Sequence, residues 1–192
     1  MEKNRLEAFS DGVLAVIITI MVLEMKVPHG GDLAALAPLW PVFLSYVLSF
    51  VYIGIYWNNH HHMLKLVHTI NGAVLWANLH LLFWLSLVPF TTGWMGENHF
   101  DRGPTLLYGL NLLLCAAAYT ILQTCLIRHE GPDCALAKAV RRDVKGKASM
   151  ALYVAGIAAA WALVPGAGMA IFVLVALVWL VPDPRIERVI KR

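Results

Sequence analysis

Charge is the first thing this sequence lacks. Only 14% of its 192 residues are Asp, Glu, Lys or Arg, against 59% hydrophobic, and a soluble domain of this size would struggle to hide so much apolar surface. Cysteine is scarce as well: Cys115, Cys125 and Cys134 form no C-x-x-C pair, and no disulfide framework is implied. There is no G-x-S-x-G, no H-E-x-x-H, no phosphate-binding glycine loop and no paired intramembrane carboxylate, so the motifs on which an enzyme reading would rest are missing. No linker, low-complexity tract or internal duplication breaks the chain. Its longest polar stretch, Arg128 to Lys147, holds Gly131, Pro132 and a mixed-charge run, read as a solvated basic loop with room for a short interfacial helix.

What the sequence has in quantity is apolar length. A spanning helix needs ~20 mostly apolar residues, and six such stretches predict an all-α membrane protein with a single transmembrane domain over 1–192: 7–26, 38–57, 72–93, 105–127, 148–164 and 167–182. The last two are short and meet at Pro165, Gly166 and Gly168, which leaves a re-entrant pair as the alternative to two crossings. The first apolar run continues to Met25 and into Lys26, Val27 and Pro28 instead of a small-residue cleavage site, and reads as a retained helix.

Basic residues orient the spans, because short loops rich in Lys and Arg stay in the cytoplasm. Every Lys and Arg except Lys26 and Arg102 falls on one side of this arrangement: Lys3, Arg5, Lys65, the loop from Arg128 to Lys147, and the tail with Arg185, Arg188, Lys191 and Arg192. Both termini are therefore expected in the cytoplasm, and the protein in a cell membrane, multi-pass.

The polar residues at membrane depth are Ser10, Asp11, Thr19, Asn58, Asn59, His60, Asn71, Asn78, His80 and Asn111. Trp57-Asn58-Asn59-His60-His61-His62 has the composition of a metal or haem site but not its spacing. Adjacent helical residues point ~100° apart, so three consecutive histidines do not converge on one ion. Thr91-Thr92-Gly93-Trp94-Met95-Gly96 is superficially like the T-V-G-Y-G carbonyl filter, yet it follows a full-length helix instead of a short re-entrant one. On the first helix, ~100° per residue puts Phe9, Val16, Ile20 and Leu23 on one stripe, with Gly12 and Thr19 at its edge and Asp11 almost opposite. A buried carboxylate needs donors; Trp57, His60, Asn71, Trp76 and Asn78 lie at a comparable depth on the second and third helices. Asp11 is expected to tie the first helix to these two while its apolar stripe faces something else, packed core being the plain alternative.

Arg5-x-x-x-Phe9-Ser10-Asp11 resembles the R-x-x-x-F-S-D signature of the transmembrane protein 175 family of lysosomal and bacterial potassium channels. The resemblance runs on through Gly12 to Leu23, the Trp57 and His60-His61 region, Asn78 and Pro89-Phe90, covering the first three helices. It implies six helices per repeat, a single-repeat bacterial-type subunit in a homotetramer, first helices lining the pore, and no carbonyl filter. The pore positions it implies are Val16, Ile20 and Leu23, with Thr19 one step away. The family's constriction is often Ile or Leu where this chain has the smaller Val16, so Ile20 is the other candidate for the narrowest point. The function implied is passive, potassium-preferring conduction through a hydrophobic constriction acting as gate and filter. Glu24 and Asp32 would stand near the outer mouth, opposed by Lys26, as cation attractors or as ordinary interfacial acids. Expected partners are copies of the chain and membrane lipids, with no nucleic acid, soluble partner, cofactor or tight metal site, and potassium as the permeant species. A secondary transporter coupled to a cation or proton is the runner-up; it would more often show internal repeats or broken mid-membrane helices. A membrane enzyme or haem protein, resting only on the histidines, comes third.

Overall fold

The computed structural model describes residues 3–140 and 143–180; Arg141, Arg142 and the basic tail lie outside the described residues, as does the end of the expected sixth span. Helices make up almost all of what is described, with no strand among it. They are α1 (Lys3–Leu23), α2 (Trp40–Lys65, preceded by a 3-10 helix at Leu33–Leu39), α3 (Gly72–Ser86), α4 (Val88–Glu97), α5 (Arg102–Glu130), α6 (Ala135–Val140), α7 (Val144–Ala162) and α8 (Pro165–Leu180).

Local chemistry sets several of these ends. Pro41 sits in the first turn of α2, where its missing N–H costs nothing. Asn71 caps α3 by accepting from Val74 N–H at 3.0 Å, and Asp143 caps α7 through Gly146 N–H at 2.8 Å. Gly131, at φ +103°, ends α5.

Four helical stretches among the described residues are long and apolar enough to cross a membrane: Lys3–Leu23, Leu33–Lys65, Gly72–Glu97 and Arg102–Glu130. α7 carries Lys145 and Lys147 in its first turn, and α8 has 16 described residues. The third stretch differs from the sequence reading. Thr91 to Gly96 does not trail out of a helix but forms one, because Pro89 in the first turn of α4 opens a new helix after a break at Leu87. A helix break that was not evident in the sequence is thus present. Its loose backbone groups are closed locally: Leu87 N–H donates to Trp84 O, Thr91 N–H to Leu87 O, and the Thr91 hydroxyl to Leu87 O and Val88 O.

Long-range contacts sort the helix ends into two levels. At one, Lys3 Nζ donates to Leu64 O and Val67 O, and Glu130 Oε1 accepts from His68 and Thr69 N–H at 2.9 Å each. At the other, Lys26 pairs with Glu97 at 2.7 Å and Arg102 reaches Leu163 O. Lys3, Lys65 and Arg128 therefore share one end of the bundle, and Lys26 and Arg102 the opposite end.

Helix association in lipid depends on close packing more than on water exclusion, and small residues supply it here. Phe172 of α8 fills a slot against Gly109 of α5 and Gly156 of α7; a Cβ on Gly168 would come within 2.6 Å of Gly156 O. Gly96 lets α4 close on α2 at Val42 and Ser45. Between α2, α4 and α5, Ser49 bonds to Thr92 at 2.6 Å and Tyr108 at 3.0 Å, all three buried.

Candidate functional site

α1 presents two different faces, and the sequence of each explains what it meets. Leu6, Leu14, Ile17 and Met21, which with Ser10 recur every three to four residues, are 2–4% exposed and pack against α2 and α3. Phe9, Val16, Ile20 and Leu23 remain 55%, 54%, 40% and 80% exposed in the single chain. The exposed arc is broader than the expected stripe: it also takes in Gly12, Ala15 and Thr19, and Val22 at 42%. Thr19 spends its hydroxyl proton on Val16 O of its own helix, at 2.8 Å. Beside this arc runs a groove of about 910 Å³ between α1 and α4, lined by Phe9, Val13, Val16, Ile20, Phe90 and Trp94 among others.

At the Lys3 end of the bundle, α1 is pinned by polar side chains. The Ser10 hydroxyl donates to Leu6 O at 2.8 Å and so has only lone pairs left for Asn78, whose Nδ2 donates to it at 3.0 Å. Asn78 Oδ1 then faces His60 Nε2 at 2.8 Å. The direction of the chain assigns the proton: His60 must carry it on Nε2. All three side chains are buried, at 0–3% exposure, and they join α1, α3 and α2. Next to them Trp57 Nε1 donates to Asp11 Oδ1 at 3.0 Å, and Trp57 stacks on His61 with ring centroids 6.1 Å apart.

Of the five donors placed near Asp11 by depth, only Trp57 reaches it. His60 donates to Asn78, Asn78 Nδ2 donates to Ser10, Asn71 Nδ2 faces His129 Nδ1, and Trp76 is 75% exposed. Asp11 is also not buried: it sits exposed at the edge of the arc. Arg5, the first residue of the signature, is exposed at the same end of α1. No group of three His, Cys, Asp or Glu suited to a metal ion occurs among the described residues.

Two functional contacts had no signal in the sequence. Lys26, expected to oppose Glu24 and Asp32, pairs instead with Glu97, whose hydrogen bond and charge raise the ammonium above its ordinary pKa. Glu24 lines the groove at this end. Lys3 caps the carboxyl end of α2, where free carbonyls favour a cation.

This arrangement has close relatives. The family model described as the endosomal/lysosomal potassium channel TMEM175 matches residues 5–89. A potassium channel of Chryseobacterium sp. (strain P1-3) is 53% identical over 191 residues, spanning 100% of this chain and 99% of that protein. The chain belongs to the TMEM175 family. A protein of Streptomyces collinus, also called a potassium channel, is 36% identical over 129 residues, 63% of each chain. The crystal structure of a lysosomal potassium-selective channel TMEM175 homolog from Chamaesiphon minutus superposes with a TM-score of 0.82 at 29% identity, covering 95% of this chain and 98% of that one. The signature residues, the pinned face of α1 and the Asn78 level all fall inside the matched segment 5–89. The TMEM175 fold here is that of a multi-pass membrane protein.

Proposed function

We propose that four copies of this chain enclose a passive, potassium-preferring pore in a bacterial plasma membrane, lined by the exposed arc of α1. The observation that carries this is an apolar helix face, Val16, Ile20 and Leu23, left without a partner in the single chain and flanked by a groove able to take a neighbouring α1. Full-length similarity to a protein called a potassium channel supports the ion.

In this reading Val16 and Ile20 form a ring narrow enough to expel water, with Thr19 and Gly12 in the middle of the arc and Leu23 toward the outer mouth. A dewetted ring blocks ions until the helices tilt or rotate, and its apolar walls penalise the more strongly hydrated sodium ion. No carbonyl filter is needed, and the helical Thr91–Gly96 segment with its internally bonded backbone supports that. α7 and α8, about 28 and 24 Å long at 1.5 Å per residue, serve as fifth and sixth crossings. Both termini and the Lys3 end are cytoplasmic, by the excess of basic residues there. The local closure of the break at Leu87 argues against a transporter-type ion site, and no catalytic role is assigned.

Potassium flux into liposomes along a potassium gradient, with and without an ionophore to dissipate the voltage, tests the reading. Flux that rises with the ionophore supports an electrogenic channel; flux indifferent to voltage but tied to a second ion overturns it. Native mass measurement in detergent should give a tetramer, and a functional monomer would sink the pore.

A further inference from the structure

Where α5 ends, its last two side chains reach across to the turn between α2 and α3. His129, half-buried, meets Thr69 Oγ1 through Nε2 at 3.1 Å and Asn71 Nδ2 through Nδ1 at 3.2 Å. Glu130 Oε1 accepts from the N–H groups of His68 and Thr69 and, at 3.3 Å, from the Thr69 hydroxyl.

Counting protons leaves His129 one state. Asn71 Oδ1 is occupied by Val74 N–H, the cap of α3, so the amide turns its Nδ2–H toward His129 and Nδ1 must accept. The Thr69 hydroxyl spends its proton on the Glu130 carboxylate, so it accepts from His129 and Nε2 must donate. A neutral imidazole with its proton on Nε2 meets both demands. A second proton, on Nδ1, would point at the Asn71 donor. Turning the Asn71 amide over relieves that conflict only by presenting Nδ2–H to Val74 N–H, which removes the cap of α3. Either way the joint loses a hydrogen bond. The same turn also carries α1, since Lys3 Nζ donates to Val67 O within it and to Leu64 O just before it.

We propose that His129 is an acid-released latch: uncharged, it holds the α2–α3 turn to α5, and its protonation loosens the turn on which Lys3 and the first turn of α1 rest. At this end the described charged and titratable groups are Cys125, Arg128 and Glu130 on α5, Lys65 on α2, His68 in the turn, Lys3 and Glu7 on α1, and Asp133, Cys134 and Lys138 beyond Gly131. Glu130 favours a charge on His129, whereas Lys3, Lys65 and Arg128 oppose it. Charges at a wet surface are screened, so the donor facing Nδ1 decides the direction.

The test is hydrogen exchange of the full-length protein in lipid nanodiscs at about pH 8 and about pH 5.5, the span over which histidine changes charge, corrected for the intrinsic pH dependence of amide exchange. The amides of Thr69 and Val74 should exchange roughly fivefold faster at the lower pH, the scale of losing one helix cap. His129→Gln offers an acceptor and a donor but takes up no proton, and should hold its protection at both pH values. Asn71→Asp keeps an acceptor for Val74 and puts a second one opposite Nδ1, so acid should slow exchange there instead of speeding it. That reversal separates the latch from the other titrating groups, which every variant shares. A wild-type protein equally protected at both pH values, a His129→Gln protein that still loosens in acid, or an Asn71→Asp protein that loosens like the wild type would each overturn the proposal. So would a histidine nitrogen spectrum placing the neutral His129 proton on Nδ1. The consequence for conduction rests on the pore reading and is measured separately: acid on the Lys3 side of liposomes should change potassium flux in the wild type and not in His129→Gln. Exchange that responds as expected beside a flux that does not would leave the latch intact and refute its reach to α1.

Discussion

Replacing Asn78 by Leu isolates what the buried chain of Ser10, Asn78 and His60 contributes. Leucine keeps the branched outline and heavy-atom count of asparagine and is the bulkier of the two, so no cavity opens, and the main change is chemical. The Ser10 hydroxyl keeps its bond to Leu6 O and loses only an incoming donor. His60 fares worse: at 3% exposure its Nε2–H loses its one recorded acceptor, and a buried donor left unmade costs about 1–3 kcal/mol. For a chain of this length each kcal/mol shifts the melting temperature by about 2–4 °C, so a central loss of about 2 kcal/mol predicts a drop of about 4–8 °C. His60→Leu should cost a similar amount by stranding Asn78 Oδ1. Replacing both removes the polar groups together, and the double variant should be less destabilised than the sum of the singles by about 1–2 kcal/mol. Thermal unfolding followed by fluorescence-detected size exclusion measures all four proteins. Strict additivity, or an Asn78→Leu protein that melts with the wild type, would refute the reasoning.

Asp11→Ala should cost less, about 1 kcal/mol, because Asp11 and Trp57 are both exposed and water can replace the lost acceptor; Asp11→Asn keeps an oxygen for Trp57 and should melt near wild type. Gly168→Val should lower melting temperature and yield by the equivalent of about 3 kcal/mol, since its Cβ would press on Gly156 O and Ala160, whereas Gly166→Ala, whose Cβ meets nothing, should be neutral. Val16→Asn and Ile20→Asn should each raise potassium conductance severalfold in planar bilayers and lower potassium over sodium discrimination, by letting water persist in the ring. Val22→Asn, at the margin of the exposed arc ~120° around the helix from Val16, should have the smaller effect; a pore opened by it alone would move the assigned face.

Apolar length and basic-residue bias made the spanning stretches legible, because those signals are local. The ends were less so. α2 runs on to Lys65 instead of stopping at residue 57, since its polar tail is absorbed by bonds formed only after folding: Asn59 to Ile55 O within the helix, His60 to Asn78 on α3. Pro89 was visible, but a proline fits either the exit from a helix or the first turn of a new one; the Thr91 hydroxyl, bonded back to Leu87 and Val88, completes the second. The stripe on α1 was readable as periodicity, whereas the width of the exposed arc was not, because it depends on where α2, α3 and α4 stop covering the helix. The Lys26 and Glu97 pair joins residues 71 apart, and no window along the chain holds both.

The grip on α1 is uneven, and on the proposed pore that has a mechanical consequence. Lys3, Ser10 and Asp11 hold its Lys3 end to α2, to α3 and to the turn after α2 with directional hydrogen bonds. Beyond Asp11, no described side chain within the helix bonds to another helix. Leu14, Ile17 and Met21 contribute packing, which tolerates small sliding better than a hydrogen bond tolerates stretching. The next polar tie is the exposed Lys26 and Glu97 pair past the helix end, weak by its exposure and weaker in salt. A tilt about the Ser10 level therefore costs less than any shift of the inner end. Ile20 lies nine residues above Asp11, ~13 Å along the axis at 1.5 Å per residue, so a tilt of ~5° moves it by ~1 Å while barely stretching the bonds at the pivot. Four helices tilting together would widen the ring by ~2 Å, about the scale on which a hydrophobic constriction passes from dry to wet.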